Sequence, residues 1–201
     1  GNVECVRLLI QAGADIHLTN PGGERDVALS KSPEVAKLLI DAGADPNEMD
    51  SQTRALITHL PMDEVFHATR EEYLATKHRV FGNANPQRMN QPFWETMVTS
   101  GCNAWRARTH YEDQERFDGP VWCFQRFGTS INLLPDGRII EIAGEHEDHY
   151  DPDFCIYNDV IVHHPDGSFD IYGYPPEVFP PTDFHSATRV DGFLYLIGNL
   201  G

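Results

Sequence analysis

The sequence predicts a multidomain α+β protein, with a helical repeat array over residues 1–51, an irregular cap and helical connector over 52–118, and an antiparallel β region over 119–201. Three observations predict it. The ten residues Val6–Asp15 recur as Ala36–Asp45 at a constant separation of 30, which marks a repeat of helical units. A second, unrelated repeat follows, in which Ser130 matches Ser186 at a separation of 56 and Asp136-Gly137 matches Asp191-Gly192 at a separation of 55. Charge divides along the same line: residues 1–110 carry 14 acidic and 11 basic side chains, or −3, whereas residues 111–201 carry 17 and 4, or −13.

Within each copy of the first repeat, Cys5, Leu9 and Ala12, or Val35, Leu39 and Ala42, fall at i, i+4, i+7 and make one helix face. This predicts that Leu8, Leu9, Leu38 and Leu39 lie largely inside. Gly13 and Gly43 follow as helix stops, and Ser32-Pro33-Glu34 is a start signal with an N-cap serine, proline at the first helical position and an acid at the positive end of the dipole. The Leu-Leu-Ile-x-Ala-Gly-Ala-Asp ending resembles the ankyrin repeat. That resemblance implies an ankyrin-type α-solenoid of stacked units serving as a protein-binding scaffold. The segment around Glu24 to Lys31 supplies a short first helix, and its Arg-Asp-Val-Ala-Leu-Ser departs from the Thr-Pro-Leu-His opening common in ankyrin repeats. A third unit starting near Thr53 reads as an irregular cap. Since the chain opens inside a repeat, residues are expected upstream of Gly1.

In the connector, Asp63 to Arg79 reads as a helix after Pro61, and the turn formers of residues 82–92 break it. Phe93 to Gly101 and Asn103 to Tyr111 are two further amphipathic helices. Trp94, Met97 and Trp105 are expected to anchor them on the flank of the β region. Pro120-Val121-Trp122 then leads into the first strand.

Asp-Gly between alternating apolar runs is a strong hairpin signal because both turn residues tolerate positive φ, and it occurs at Asp136, Asp166 and Asp191. The strands so bounded are Phe127–Leu134, Arg138–Ala143, Tyr157–His163 and Ser168–Tyr172, followed by Phe184–Val190 with Phe193–Ile197. The pattern Phe184-His185-Ser186-Ala187-Thr188, the glycine ending the second strand, the acidic loop and Tyr157-Asn158-Asp159-Val160 resemble a kelch-type repeat. The resemblance implies kelch-like β-propeller blades, of which one and a half are visible, with more chain expected downstream. Ala143-Gly144 and Gly198-Asn199 stand where many kelch repeats carry a glycine pair. Together the two resemblances suggest a piece of a longer, bacterial-type ankyrin/kelch protein.

The richest local chemistry is Glu145 to Cys155, with two histidines and five carboxylates. His146 and His149 beside Asp148, Asp151 or Asp153 are ligands that zinc, manganese or iron accept, but the spacing matches no closed site and lacks the glycine and alternation of a calcium loop. Two readings remain: a solvent-exposed interstrand loop without metal, or the edge that meets a partner. Partner-binding candidates are therefore Glu145, His146, Glu147, Asp148, His149, Asp151, Asp153 and, in the proline-rich run Pro175 to Asp183, Phe179, where a plain inter-blade linker is the competing reading. His163-His164, ending a strand before Pro165, are read as an exposed strand end. His185 is expected to hydrogen-bond a neighbouring blade.

No catalytic set is assigned: neither Ser130 nor Ser186 sits in a Gly-x-Ser-x-Gly elbow, and no phosphate-binding glycine motif occurs, so no cofactor is expected. Cys5, Cys102, Cys123 and Cys155 form no CxxC pair and read as reduced thiols of a cytoplasmic protein. A net charge of −16 disfavours nucleic acid and anionic membrane and favours a basic protein partner, or it serves solubility alone. The function expected is a non-enzymatic interaction scaffold, with an immunity or antitoxin-like role as its specific form. The alternative is a kelch-type propeller enzyme or carbohydrate-binding module, with or without a metal, to which His146, His149, Tyr150 and Tyr157 would contribute.

Overall fold

The computed structural model describes residues 2–114, 119–147 and 151–198. Helix α1, Val3–Gln11, starts at Asn2, whose side chain accepts the N–H of Cys5, and α2, Pro33–Asp41, starts at Ser32 with Pro33 in its first turn. Between them no first helix forms. Residues 25–30 make successive turns closed by bonds from Ala28, Leu29 and Ser30 to the carbonyls three residues back, and they bury Val27. A small core collects Val27, Val35, Leu39 and Ala44, flanked by Val3, Val6 and Ile10 of α1. The expectation for Leu8 and Leu9 is thus corrected: they are 54% and 59% exposed. The inward row of α1 is 3, 6, 10, and none of the described elements lies on its other side. Leu39 is buried and Leu38 half-buried, as α2 has α3, Ser51–Thr58, on its far flank.

The connector departs from its expected helix over Asp63 to Arg79. Met62 and Glu64 take left-handed φ of 46° and 61°, which no helix accommodates. Helix α4 is only Arg70–Thr76, begun by a capping box in which Thr69 and Glu72 satisfy each other's backbone N–H groups. Helices α5, Pro92–Ser100, and α6, Ala104–His110, form as expected, with Gly101 left-handed at the end of the first and Asn103 capping the second. Trp94 and Met97 are fully buried. Trp105 is not an anchor; α6 turns Ala104, Ala107, Arg108 and Tyr111 inward and leaves Trp105 71% exposed.

The β half contains a four-stranded antiparallel meander of β2 Ser130–Leu133, β3 Ile139–Ile142, β6 Val160–His163 and β7 Phe169–Gly173, with the short β1 Gln87–Arg88 added beside β7. Two-residue strands β4, Glu145–His146, and β5, Cys155–Ile156, pair beside it, and β8 Ser186–Val190 with β9 Phe193–Ile197 forms a separate hairpin. Val121 makes a single bridge to His78 rather than entering the meander. Of the three Asp-Gly turns, Asp191-Gly192 alone has both residues at positive φ, 47° and 84°; at the other two only the glycine does, which fits three-residue loops such as Pro135-Asp136-Gly137. No closed ring of blades is formed among the described residues.

One sheet face carries Ile131, Ile139, Glu141, Ile161, His163 and Ile171, all buried. Ile161 and Ile171 share the main core with Tyr73, Phe93, Trp94, Met97 and Trp122, so the connector helices lie on that face. The Trp94 and Trp122 rings stack at 4.8 Å and 6°. His163, expected at an exposed strand end, is 1% exposed, because the register places it beside Ile139 on this covered face.

Candidate protein-interaction site

Structure begins earlier in the acidic segment than the sequence suggests. Glu145 and Phe127 exchange backbone hydrogen bonds of 2.8 Å, and the adjacent His146 pairs with Cys155 in the β4–β5 ladder. His146 is buried, with Nε2 3.1 Å from Glu147 Oε1, and burial lowers its pKa. An exposed loop starting at Glu145 is therefore corrected to a strand that turns away at Glu147, whose φ is 63°. Asp148 and His149 lie outside the described residues. Asp151 accepts the Asp153 N–H at 3.1 Å, and Asp153 accepts Arg108 Nη2 at 2.9 Å, which ties the segment to α6. Glu147 and Asp151 keep partly exposed carboxylates.

Arg108 also reaches Asp113 at 3.4 Å and the Gly119 carbonyl at 2.9 Å. Around it lies a groove of about 530 Å³ lined by Trp105, Arg108, Thr109, Glu112, Asp151 and Asp153. Sequence reasoning missed that α6 and the acidic segment share this groove. The helix period could have shown it, since Trp105 falls off the Ala104, Ala107, Tyr111 row. Phe179 is elsewhere: its ring meets Tyr174 edge-on at 5.6 Å and its carbonyl accepts Asn158 Nδ2 at 2.7 Å, which pins the proline-rich run to the sheet.

The helical half presents a different surface. A concavity of about 360 Å³ between α1 and α2 is lined by Val6, Leu9, Ile10, Ile16, Leu29 and Val35, with Asp15, Asp26 and Lys31 also on its wall. Leu8, Leu18 and Leu29 are exposed as well.

Beneath both surfaces the polar groups are paired for structure. Arg126 grips Asp159 with both terminal nitrogens, lies 3.6 Å over the Tyr157 ring, and shares Asp159 with Trp122 Nε1 at 2.7 Å. The Tyr157 hydroxyl accepts the Cys123 N–H at 3.1 Å, and burial raises the Cys123 thiol to about 11, which leaves it protonated and a poor nucleophile at neutral pH. His185 Nε2 lies 2.8 Å from Ser130 Oγ, so it joins the β8–β9 hairpin to the first sheet, the inter-sheet bond expected of it. Among the described residues no three His, Cys, Asp or Glu side chains are placed to hold a metal, and no helix is long and apolar enough to cross a membrane.

With this geometry in view, residues 1–21 match the ankyrin repeat family model. The chain is similar to protein phosphatase 1 regulatory subunit 27 of Homo sapiens, 44% identical over 48 residues that cover 22% of this chain and 31% of that protein. It is also similar to cyclin-dependent kinase 4 inhibitor B of Rattus norvegicus, 40% identical over 78 residues covering 38% of this chain and 55% of that one, and to the same inhibitor of Mus musculus at 40% over 78 residues. The chain spans roughly a third to a half of the length of these mammalian relatives. No solved structure matches. The N-terminal helical unit is therefore similar to the ankyrin repeat.

Proposed function

We propose that the chain is a non-enzymatic scaffold that docks a basic protein partner. The observation that carries this reading is the match of residues 1–21 to the ankyrin repeat, in a unit whose α1 and α2 enclose an apolar concavity lined by Leu9 and Val35. The names of the relatives, a kinase inhibitor and a phosphatase regulatory subunit, support a partner that is itself a protein. The −13 charge of residues 111–201 supports a basic one, since a field of one sign raises the encounter rate with the opposite sign. The specific form of the role is neutralisation of a cationic effector, immunity or antitoxin-like, in the cytoplasm. For residues 120–201 the kelch-like reading is supported by the meander and by the Ser130–His185 bond between consecutive sheets, with the connector helices closing one end of any such stack.

The test is affinity capture with the intact chain against Leu9→Glu, an exposed change expected to leave the melting temperature unchanged. The reading predicts a captured protein of basic isoelectric point that the variant loses. Equal recovery of the same protein by both would overturn docking through this concavity.

A further inference from the structure

Where the last ankyrin-side helix meets the β half, a cavity of about 350 Å³ is lined by Ser51, Arg54, Ala55, Leu60, Met62, Phe124, Gln125 and Arg126. Two arginines line it, each already paired with a buried carboxylate. Arg54 projects from α3 and is held on two sides: Nε and Nη2 grip the Glu141 carboxylate, and the guanidinium carbon lies 4.8 Å over the Phe124 ring. A guanidinium carries five N–H donors in a planar fork, and Glu141 takes only two. The other three have no acceptor among the described residues, and the side chain retains 19% exposure. Glu141 and Asp159, the carboxylates that neutralise Arg54 and Arg126, do not line the cavity. Both guanidiniums do.

Burial and the neighbouring Arg126 charge press the Arg54 pKa down to about 10, a direction that an added anion would reverse. An arginine fixed in orientation is pre-organised for a second planar oxyanion, as its fork matches carboxylate geometry. Opposite it, Ala55, Leu60, Met62 and Phe124 form an apolar wall. Sites that combine one aimed charge with apolar walls hold ligands that are charged at one end and greasy at the other.

We propose that this cavity receives the C-terminal carboxylate of a peptide ending in an aliphatic residue, with Arg54 taking the carboxylate and Leu60 and Met62 the side chain. Arg126 contributes charge rather than hydrogen bonds, since it is spent on Asp159, Cys123 and Ala143. The site is independent of the concavity between α1 and α2.

The test titrates the intact chain, labelled at methionine methyl groups, with N-acetyl-leucine, with N-acetyl-leucinamide, and with an acetylated tetrapeptide ending in leucine as free acid. The expected result is a saturable shift of the Met62 methyl with the acid, at least tenfold weaker binding of the amide, and tighter binding of the tetrapeptide. Ser51→Glu, which sets a carboxylate at the mouth on an exposed first-turn position, should weaken the acid at least tenfold with the melting temperature unchanged. Equal binding of acid and amide, no saturable Met62 shift in the folded protein, or binding that survives Ser51→Glu would overturn the site. Binding of N-acetyl-leucine but not of the tetrapeptide would overturn the peptide terminus as its occupant.

Discussion

Asp159 receives the bidentate grip of Arg126 and the Trp122 indole N–H with both charged side chains buried, so its charge is a structural part. Asp159→Asn leaves Arg126 buried with half of its compensation and should cost about 3–5 kcal/mol, read as a fall in the urea midpoint. A fall below about 0.5 kcal/mol would show that water reaches Arg126. His163 contributes to the loss of stability in acid. Burial, then the Arg54 charge and His164, lower its pKa to about 3, so the folded state keeps it neutral while an unfolded chain protonates it near 6.5. The unfolded state therefore binds more protons between those values, and stability falls with pH from about 6.5 towards 3, by up to about 1.4 kcal/mol per pH unit from this residue. His163→Gln should flatten that slope; an unchanged slope would assign it to other groups. Some residue-scale chemistry was legible: His185 as an inter-sheet hydrogen-bonding residue came from its place in the sequence repeat. His163 was misread because strand ends are usually exposed, and the sequence holds no sign that α3 brings Arg54 onto that face.

At the scale of elements, the helices with both start and stop signals were legible, and those without were not. Ser32-Pro33 with Gly43, and Pro92 with Gly101, bracket α2 and α5, whereas the expected Asp63 to Arg79 helix had no cap before Thr69 and lost its first turns to left-handed backbone. Leu39→Ala, a large-to-small change in a buried row of α2, should cost about 2–5 kcal/mol in chemical denaturation, and a loss under about 0.5 would remove the stacked packing of α1 and α2. The end of β3 supplies a sharper test. Ala143 and Gly144 take φ of 54° and 95°, and a Cβ on Gly144 would sit 2.7 Å from the Phe127 carbonyl oxygen. Two successive left-handed residues make this a position that favours glycine. Gly144→Ala should lower the melting temperature by several degrees, as strain and contact add. No change would mean that the turn relaxes freely.

At the scale of the whole molecule, two cores are built by different rules. The N-terminal unit packs short helices around a small core, while the connector and the meander share one dense aromatic core. The repeats made the ends of the chain legible. The middle was legible only in α5 and α6, because residues 52–118 repeat nothing, and their packing follows from long-range contacts such as Tyr73 on Tyr111 and Trp94 on Trp122. The acidic groove was half visible as composition; its other wall, α6 with Trp105, could be joined to it only by the fold. The proposed function is docking steered by charge, so the most direct measurement is the association rate of the captured partner as salt rises from 20 to 150 mM. Screening acts on long-range encounter more than on packed contacts, so the account predicts a fall of about tenfold or more with little change in dissociation, and a slower rate at low salt for the triple change Glu145→Gln, Glu147→Gln, Asp151→Asn. An association rate that is the same at both salt concentrations would contradict it.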